Sequence, residues 1–131
     1  MAKTKIVDQW LTKSSEDLRF AKAALGLEEK FYAHIVFQCQ QSVEKAIKGY
    51  LSFHKIAFSK THDIGALLSY VQTVDAELAR MLGKTEILSK FAVSIRYPAS
   101  HGEEILITKI IADDCIALAE ATFIEISSRL K

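Results

Sequence analysis

Proline occurs once and glycine five times in 131 residues, too few for a chain of linkers, turns or collagen-like repeats. The two cysteines, Cys39 and Cys115, form no Cys-x-x-Cys pair, which argues against a disulfide framework and suits two reduced thiols in a core. Neither sign of charge is in excess: 17 Lys and Arg stand against 16 Asp and Glu, a formal charge of +1. No long-range field therefore draws the chain to DNA or to an anionic membrane, and any nucleic-acid contact has to be local. Long apolar runs are missing too. The longest stretch free of Lys, Arg, Asp and Glu runs from Phe31 to Val43, well short of the roughly 20 residues that span a bilayer. Asp8, Gln9 and Lys13 interrupt what would be a signal-peptide core, so a cytoplasmic protein without a membrane segment is expected.

What the chain has in quantity is apolar side chains, 50% of the total, enough for one hydrophobic core and hence a single domain over residues 1–131. These residues recur at steps of three and four, so the expected fold class is all-α. The first helix is expected over about residues 4 to 25, with Val7, Trp10, Leu11, Leu18, Ala21 and Leu25 on one stripe and Gly26 as its stop. A second runs from Glu28 to His54. Within it Gln40 and Glu44 fall on the apolar stripe, where polar groups need partners, and Gly49 marks close approach by another backbone. Thr61 is the expected N-cap of a third helix, Asp75 starts a short one that ends near Gly83, and another covers Thr85 to Ile95. Pro98 then breaks or kinks the chain. Ser100 and Glu103 form a capping box that would start the last helix at His101 and carry it to Arg129. That helix has apolar residues on two sides, Ile107, Ile111 and Leu118 against Ile105, Ile116 and Phe123, and so needs two partners: the bundle core and either a second subunit or further internal packing.

The segment from Arg96 to His101 carries the clearest chemistry. A corner between two helices would bring together a guanidinium that cannot lose its charge and an imidazole that exchanges a proton near neutral pH. Cleavage of RNA without a metal needs such parts: a base for the 2′-hydroxyl proton, an acid for the leaving oxygen and a cation for the crowded phosphate. The plainer reading has Arg96 complementing a helix C-terminus and His101 in an exposed first turn. On the second helix Gln38, Gln40, Gln41, Glu44, Lys45 and Lys48 make a polar group, read either as an internal network, for which a Glu44–Arg96 pair is one solution, or as a surface that reads a ligand. His62-Asp63 is read as part of helix initiation. No metal site is expected, because His34, His54, His62 and His101 are scattered without Glu-x-x-His or His-x3-His spacing. The standard nucleotide cradles are absent as well.

Taken in order, Trp10 with Asp17-Leu18 and Ala21, Gln40-Gln41 through Glu44-Lys45-Ala46 and Lys48, Thr61-His62-Asp63-Ile64, and Arg96-Tyr97-Pro98 resemble a HEPN domain over nearly the whole chain. The resemblance implies an up-and-down antiparallel bundle of four to five helices that forms a homodimer, with the Arg-x4-6-His motifs of two copies facing one cleft. It implies no cofactor. Arg96 and His101 match that motif as catalytic residues, and Gln41, Glu44, Lys48 and Tyr97 are the expected ligand-binding residues. Two functions follow from it. One is a toxin-like, metal-independent endoribonuclease. The other is a non-catalytic module that binds a nucleotide, or a partner such as a minimal nucleotidyltransferase encoded nearby. The Arg-Tyr-Pro form is similar to a branch of the family that often lacks the histidine. Glu103 stands where toxin-like members carry a tyrosine for nucleotidylation, so regulation by that route is not expected.

Overall fold

Among the residues that the structure describes, the helical repeat of apolar side chains is realised as six α-helices: α1 (Lys5–Leu25), α2 (Tyr32–Phe53), α3 (Ile64–Gln72), α4 (Ala76–Met81), α5 (Glu86–Arg96) and α6 (Lys109–Arg129). The computed structural model describes residues 3–96 and 106–131, Arg96 by its backbone alone, and no strand occurs among the described residues. One turn of 3₁₀ helix, Gly83–Thr85, joins α4 to α5. The protein is an all-α bundle, and the short segment expected from Asp75 is α4. None of the helices among the described residues is long and apolar enough to cross a membrane.

The central element is α2. Of its 22 residues 13 are buried, more than one stripe could supply, and it packs against α1, α3, α5 and α6. The connector between α1 and α2, residues 26–31, is short enough to force an antiparallel hairpin. Small residues draw this pair together. Ser14 Oγ donates to the Ser42 carbonyl at 2.7 Å and Ser42 Oγ returns the bond to the Ser14 carbonyl at 2.9 Å. A Cβ added at Gly49 would lie 3.2 Å from Trp10 Cβ and 3.4 Å from Leu11 Cδ2, so α1 does come close at that glycine, through side-chain atoms rather than the backbone expected. Leu11, Leu18, Val43, Ile47, Leu67, Leu88, Ala119 and Ile126 join the other buried apolar residues in one core cluster. Cys39 and Cys115 are both buried as free thiols.

Several boundaries differ from the expected ones, each for a local reason. Helix α1 stops at Gly26, but with φ −86°, so the glycine is not used in a left-handed cap. Helix α2 begins at Tyr32 rather than Glu28: Glu28, Glu29 and Lys30 are exposed, and Lys30 Nζ donates to the Leu27 carbonyl at 2.6 Å. At the other end of α2, Lys55 takes the left-handed conformation (φ 57°) that glycine usually supplies. Around it Lys55 N–H bonds to Ser52 O and Ile56 N–H to Leu51 O, the paired bonds of a Schellman cap. Asp63, not Thr61, caps α3: its carboxylate accepts from Gly65 N–H at 2.9 Å, while Thr61 Oγ1 accepts from Asp63 N–H. Helix α6 starts at Lys109 behind the N-cap Thr108, so it does not run back unbroken to His101. The capping box of Ser100 and Glu103 lies outside the described residues. So does Ile105. Of the two apolar sides expected on the last helix, Ile116 is buried and Ile107, Ile111, Leu118 and Phe123 are half-buried.

Candidate functional site

Steps of four residues place Gln40, Glu44 and Lys48 on one face of α2, and all three are buried, with 1%, 3% and 7% of their surface exposed. A carboxylate is rarely buried in this way without full compensation. Glu44 has it. Its Oε2 accepts from Lys48 Nζ at 2.8 Å, and its Oε1 accepts from Gln40 Nε2 at 3.1 Å and faces His62 Nδ1 at 2.9 Å. Gln40 Nε2 also donates to the His62 carbonyl at 2.9 Å, and Gln40 Oε1 accepts from Gln41 Nε2 at 2.7 Å. Lys48 Nζ lies 5.6 Å from the centre of the Trp10 ring, within reach of its π face. Among the described residues no buried side-chain polar atom lacks a hydrogen bond.

Burial opposes ionisation of Glu44. The bonds from Lys48 and His62, the Lys48 charge and the Gln40 bond together outweigh it and hold the Glu44 carboxyl below its ordinary range. An ionised Glu44 can only accept, so the ring nitrogen of His62 that faces it carries a proton. Nδ1–H is therefore the donor and Nε2 is left as the free nitrogen. No described group bonds to Nε2. The His62 side chain is 63% exposed while that of Glu44 is 4% exposed, so a sealed carboxylate holds an imidazole that solvent reaches.

His62 opens into a cleft of about 740 Å³ between α2, the start of α3 and α5, lined by Gln40, Asp63, Ser89, Lys90 and Val93 among others. The first amides of α3 are already used, Ile64 N–H by Ser89 Oγ at 3.0 Å and Gly65 N–H by Asp63. This wall therefore offers side-chain chemistry rather than a free helix terminus. Asp63 and Glu86 outnumber Lys90, and the described lining is not an anion trap by charge. Helix α5 carries Ser89, Lys90 and Val93 along the cleft and ends at Arg96. Arg96 is three residues past Val93, one helical step of roughly 4.5 Å along the axis.

Of the residues singled out in the sequence, Glu44 and Lys48 come together as an ion pair inside the bundle, and Gln41, half-buried, braces Gln40. Arg96 closes α5, its side chain lies outside the described residues, and so do Tyr97 and His101. The partners of Glu44 in the structure are Lys48, His62 and Gln40. His62, Ser89 and Lys90 were not singled out as site residues. Two signals point to His62: the pair Gln40 and Glu44 on an apolar stripe, which has to be satisfied from another element, and its place in Thr61-His62-Asp63-Ile64. Among the described residues no group of three or more His, Cys, Asp and Glu side chains could hold a metal ion.

Comparison with known proteins agrees with this architecture. The chain is 29% identical over 133 residues to "Putative toxin MJ1304" of Methanocaldococcus jannaschii, covering 93% of this chain and 86% of that protein. The crystal structure of TT1696 from Thermus thermophilus superposes with a TM-score of 0.79 at 23% identity, covering 97% of this chain and all of that one. ST0689, described as an archaeal HEPN homologue, superposes with a TM-score of 0.71 at 23% identity over 98% of this chain. The HEPN domain family matches residues 7–129, and the chain belongs to that family.

Proposed function

We propose that this HEPN domain is a toxin-like endoribonuclease that cuts RNA without a metal ion, with Arg96 and His101 as its catalytic residues. The observation that carries the reading is the cleft along α5. It holds a carboxylate-braced imidazole, a hydroxyl and a lysine, and Arg96 follows its wall by one helical step. A single-stranded chain laid along α5 would meet these groups and then the end of the helix, where Arg96 stands. Arg96 binds the scissile phosphate and stabilises its crowded transition state. The 2′-oxygen forms a bond to phosphorus, the bond to the 5′-oxygen breaks, and the products are a 2′,3′-cyclic phosphate and a 5′-hydroxyl. His101 moves a proton in that exchange. The word "toxin" in the name of the M. jannaschii relative is consistent with such an activity.

A second copy completes the reading. Along α6, Ile110 and Ile124 are 73% and 60% exposed, and Ala117 and Ala121 lie between them on the same face. This stripe, apolar but for Asp114 at its edge, supports self-association. The test compares wild type with Arg96→Ala and His101→Ala on a panel of RNAs in EDTA. Wild type cleaves, and each variant loses on the order of 100-fold or more. Equal cleavage by all three, or none by folded wild type, ends the nuclease reading. Saturable nucleotide binding without cleavage, weakened by Arg96→Ala, would favour the non-catalytic module and its nucleotidyltransferase partnership instead.

A further inference from the structure

We propose that the cleft between α2, the start of α3 and α5 is a base-reading pocket, which holds a guanine of single-stranded RNA through the Glu86 carboxylate and the Lys90 ammonium. The inference rests on the reading above that the ligand is RNA, and it names the base that the cleft selects. Steps of three and four put Glu86, Ser89, Lys90 and Val93 on one face of α5, and all four line the cleft. Its volume of about 740 Å³ lies within the roughly 300–1,000 Å³ of small-ligand pockets. Glu86 depends on a glycine for its place: its Oε1 stands 2.6 Å from where a Cβ at Gly65 would lie, so a side chain at that position would push the carboxylate away. Yet the carboxylate closes nothing inside the bundle. Neither Glu86 nor Lys90, one turn apart on α5, has a hydrogen-bond or ion-pair partner among the described residues. Asp63 and Ser89 already satisfy the first amides of α3. Ser89 Oγ accepts from Ile64 N–H, so its own proton is free to donate into the cleft.

The charge of the lining decides which part of a nucleotide enters. Asp63 and Glu86 repel a phosphate, so a nucleotide enters base first. Val93, 62% exposed, offers apolar surface to the face of a ring. A free carboxylate accepts two parallel N–H bonds, and guanine carries such a pair, N1–H beside the 2-amino group. Its O6, next along the same edge, accepts from Lys90 or from the Ser89 hydroxyl. Adenine and cytosine set an acceptor nitrogen beside their amino group, and uracil has a single N–H between two carbonyls. Each of those would turn a lone pair toward the carboxylate. Unpaired bases of RNA are read on this edge. Nε2 of His62, held open to solvent by the bond from Nδ1 to Glu44, is a further acceptor on the same wall while the ring is neutral. An arginine side chain from another protein would suit Glu86 as well, but it would bring a second cation to Lys90, where guanine brings an acceptor.

The experiment measures, by fluorescence anisotropy at fixed salt, the binding of 2′-O-methyl hexauridine and of the same hexamer with one central guanosine, adenosine, cytidine or inosine. Wild type should bind the guanosine hexamer roughly tenfold or more tighter than hexauridine and the adenosine and cytidine hexamers. Inosine, which lacks the 2-amino group, should lose most of that gain. Glu86→Gln should erase the preference and leave affinity for hexauridine within about threefold. Gly65→Ala, which displaces the Glu86 carboxylate without altering it, should erase the preference too. Melting curves check that both variants fold, and Glu86, an exposed side chain, carries the test by itself if Gly65→Ala does not. Equal affinity for all the hexamers, no binding of any, or a guanine preference that survives in a folded variant overturns the assignment. RNA cleavage by a wild type that binds every hexamer equally ends this inference and leaves the nuclease reading standing. A guanine preference that Glu86→Gln erases, in a protein that cleaves no RNA, does the reverse.

Discussion

Replacing Lys48 by methionine keeps the length of the side chain and removes the charge that Glu44 was buried to meet. Lys48 and Glu44 side chains are 9% and 4% exposed and their charged atoms lie 2.8 Å apart. Water therefore cannot take the place of the lost ammonium, and Oε2 of Glu44 is left with no described donor. Breaking a buried pair from one side costs about 3–5 kcal/mol, because the surviving charge stays uncompensated. Here His62 and Gln40 still hold Oε1, which places the expected loss at the lower end, about 3 kcal/mol. With a urea slope of roughly 1–3 kcal/mol per molar, the unfolding midpoint falls by about 1–3 M. The pH dependence follows by sign. In the wild type Glu44 titrates below its ordinary range, so its contribution is fully present above that range and is lost as pH falls from there through the lowered value of the folded state. Without Lys48, burial favours the neutral carboxyl, and the deficit of Lys48→Met narrows between neutral pH and pH 4. The double variant Glu44→Leu with Lys48→Met removes both charges and should recover most of the loss. A loss under about 1 kcal/mol at pH 7, or a double variant worse than the sum of the two singles, would refute the buried-pair account.

Other parts of the bundle give further expectations. Lys55→Gly relieves the left-handed residue that ends α2 and should stabilise the protein by about 0.5–1 kcal/mol in urea titrations; destabilisation would mean that the lysine side chain contributes more than its backbone costs. Asp75→Ala removes the cap bond to Leu78 N–H at 3.0 Å and the acceptor for Tyr50 and Arg129, for a loss of about 1–2 kcal/mol. The Tyr50 phenol, pushed up to about 12 by burial first and then by its bond to Asp75, should titrate lower in the Asp75→Ala variant by ultraviolet absorbance, and an unchanged titration would remove Asp75 as a cause. Burial pushes the Cys39 thiol up to about 12, with Cys115 adding to it, and the Cys115 thiol up to about 11, with Asp114 adding to it. Both should resist an aromatic disulfide reagent at pH 8 until denaturant is added, and rapid reaction of the native protein would contradict their burial.

The sequence made the helical class legible because periodicity reports burial directly. The α1 stripe of Val7, Leu11, Leu18 and Ala21 and the α2 stripe both lie in the core. Gly49 was legible for the same reason, since a glycine in a helix interior costs stability unless something approaches it closely. Boundaries were less legible where two residues could do one job. Thr61 and Asp63 both suit a cap, and the carboxylate that reached Gly65 N–H took the role while the threonine made the turn before it. Thr108 caps α6, a start that the spacing along the chain does not announce. The His62–Glu44 contact joins residues 18 positions apart on different elements, so no pattern along the chain announces it. The sequence showed only that Gln40 and Glu44 would need partners.

The most direct test of the central claim is to locate an uncleavable single-stranded oligonucleotide on the protein by backbone amide chemical-shift mapping. The account predicts saturable shifts at His62, Ser89, Lys90 and Arg96, along the wall formed by the start of α3 and by α5. Shifts confined to α1 and the exposed face of α6, with those four residues unmoved at saturation, would contradict it.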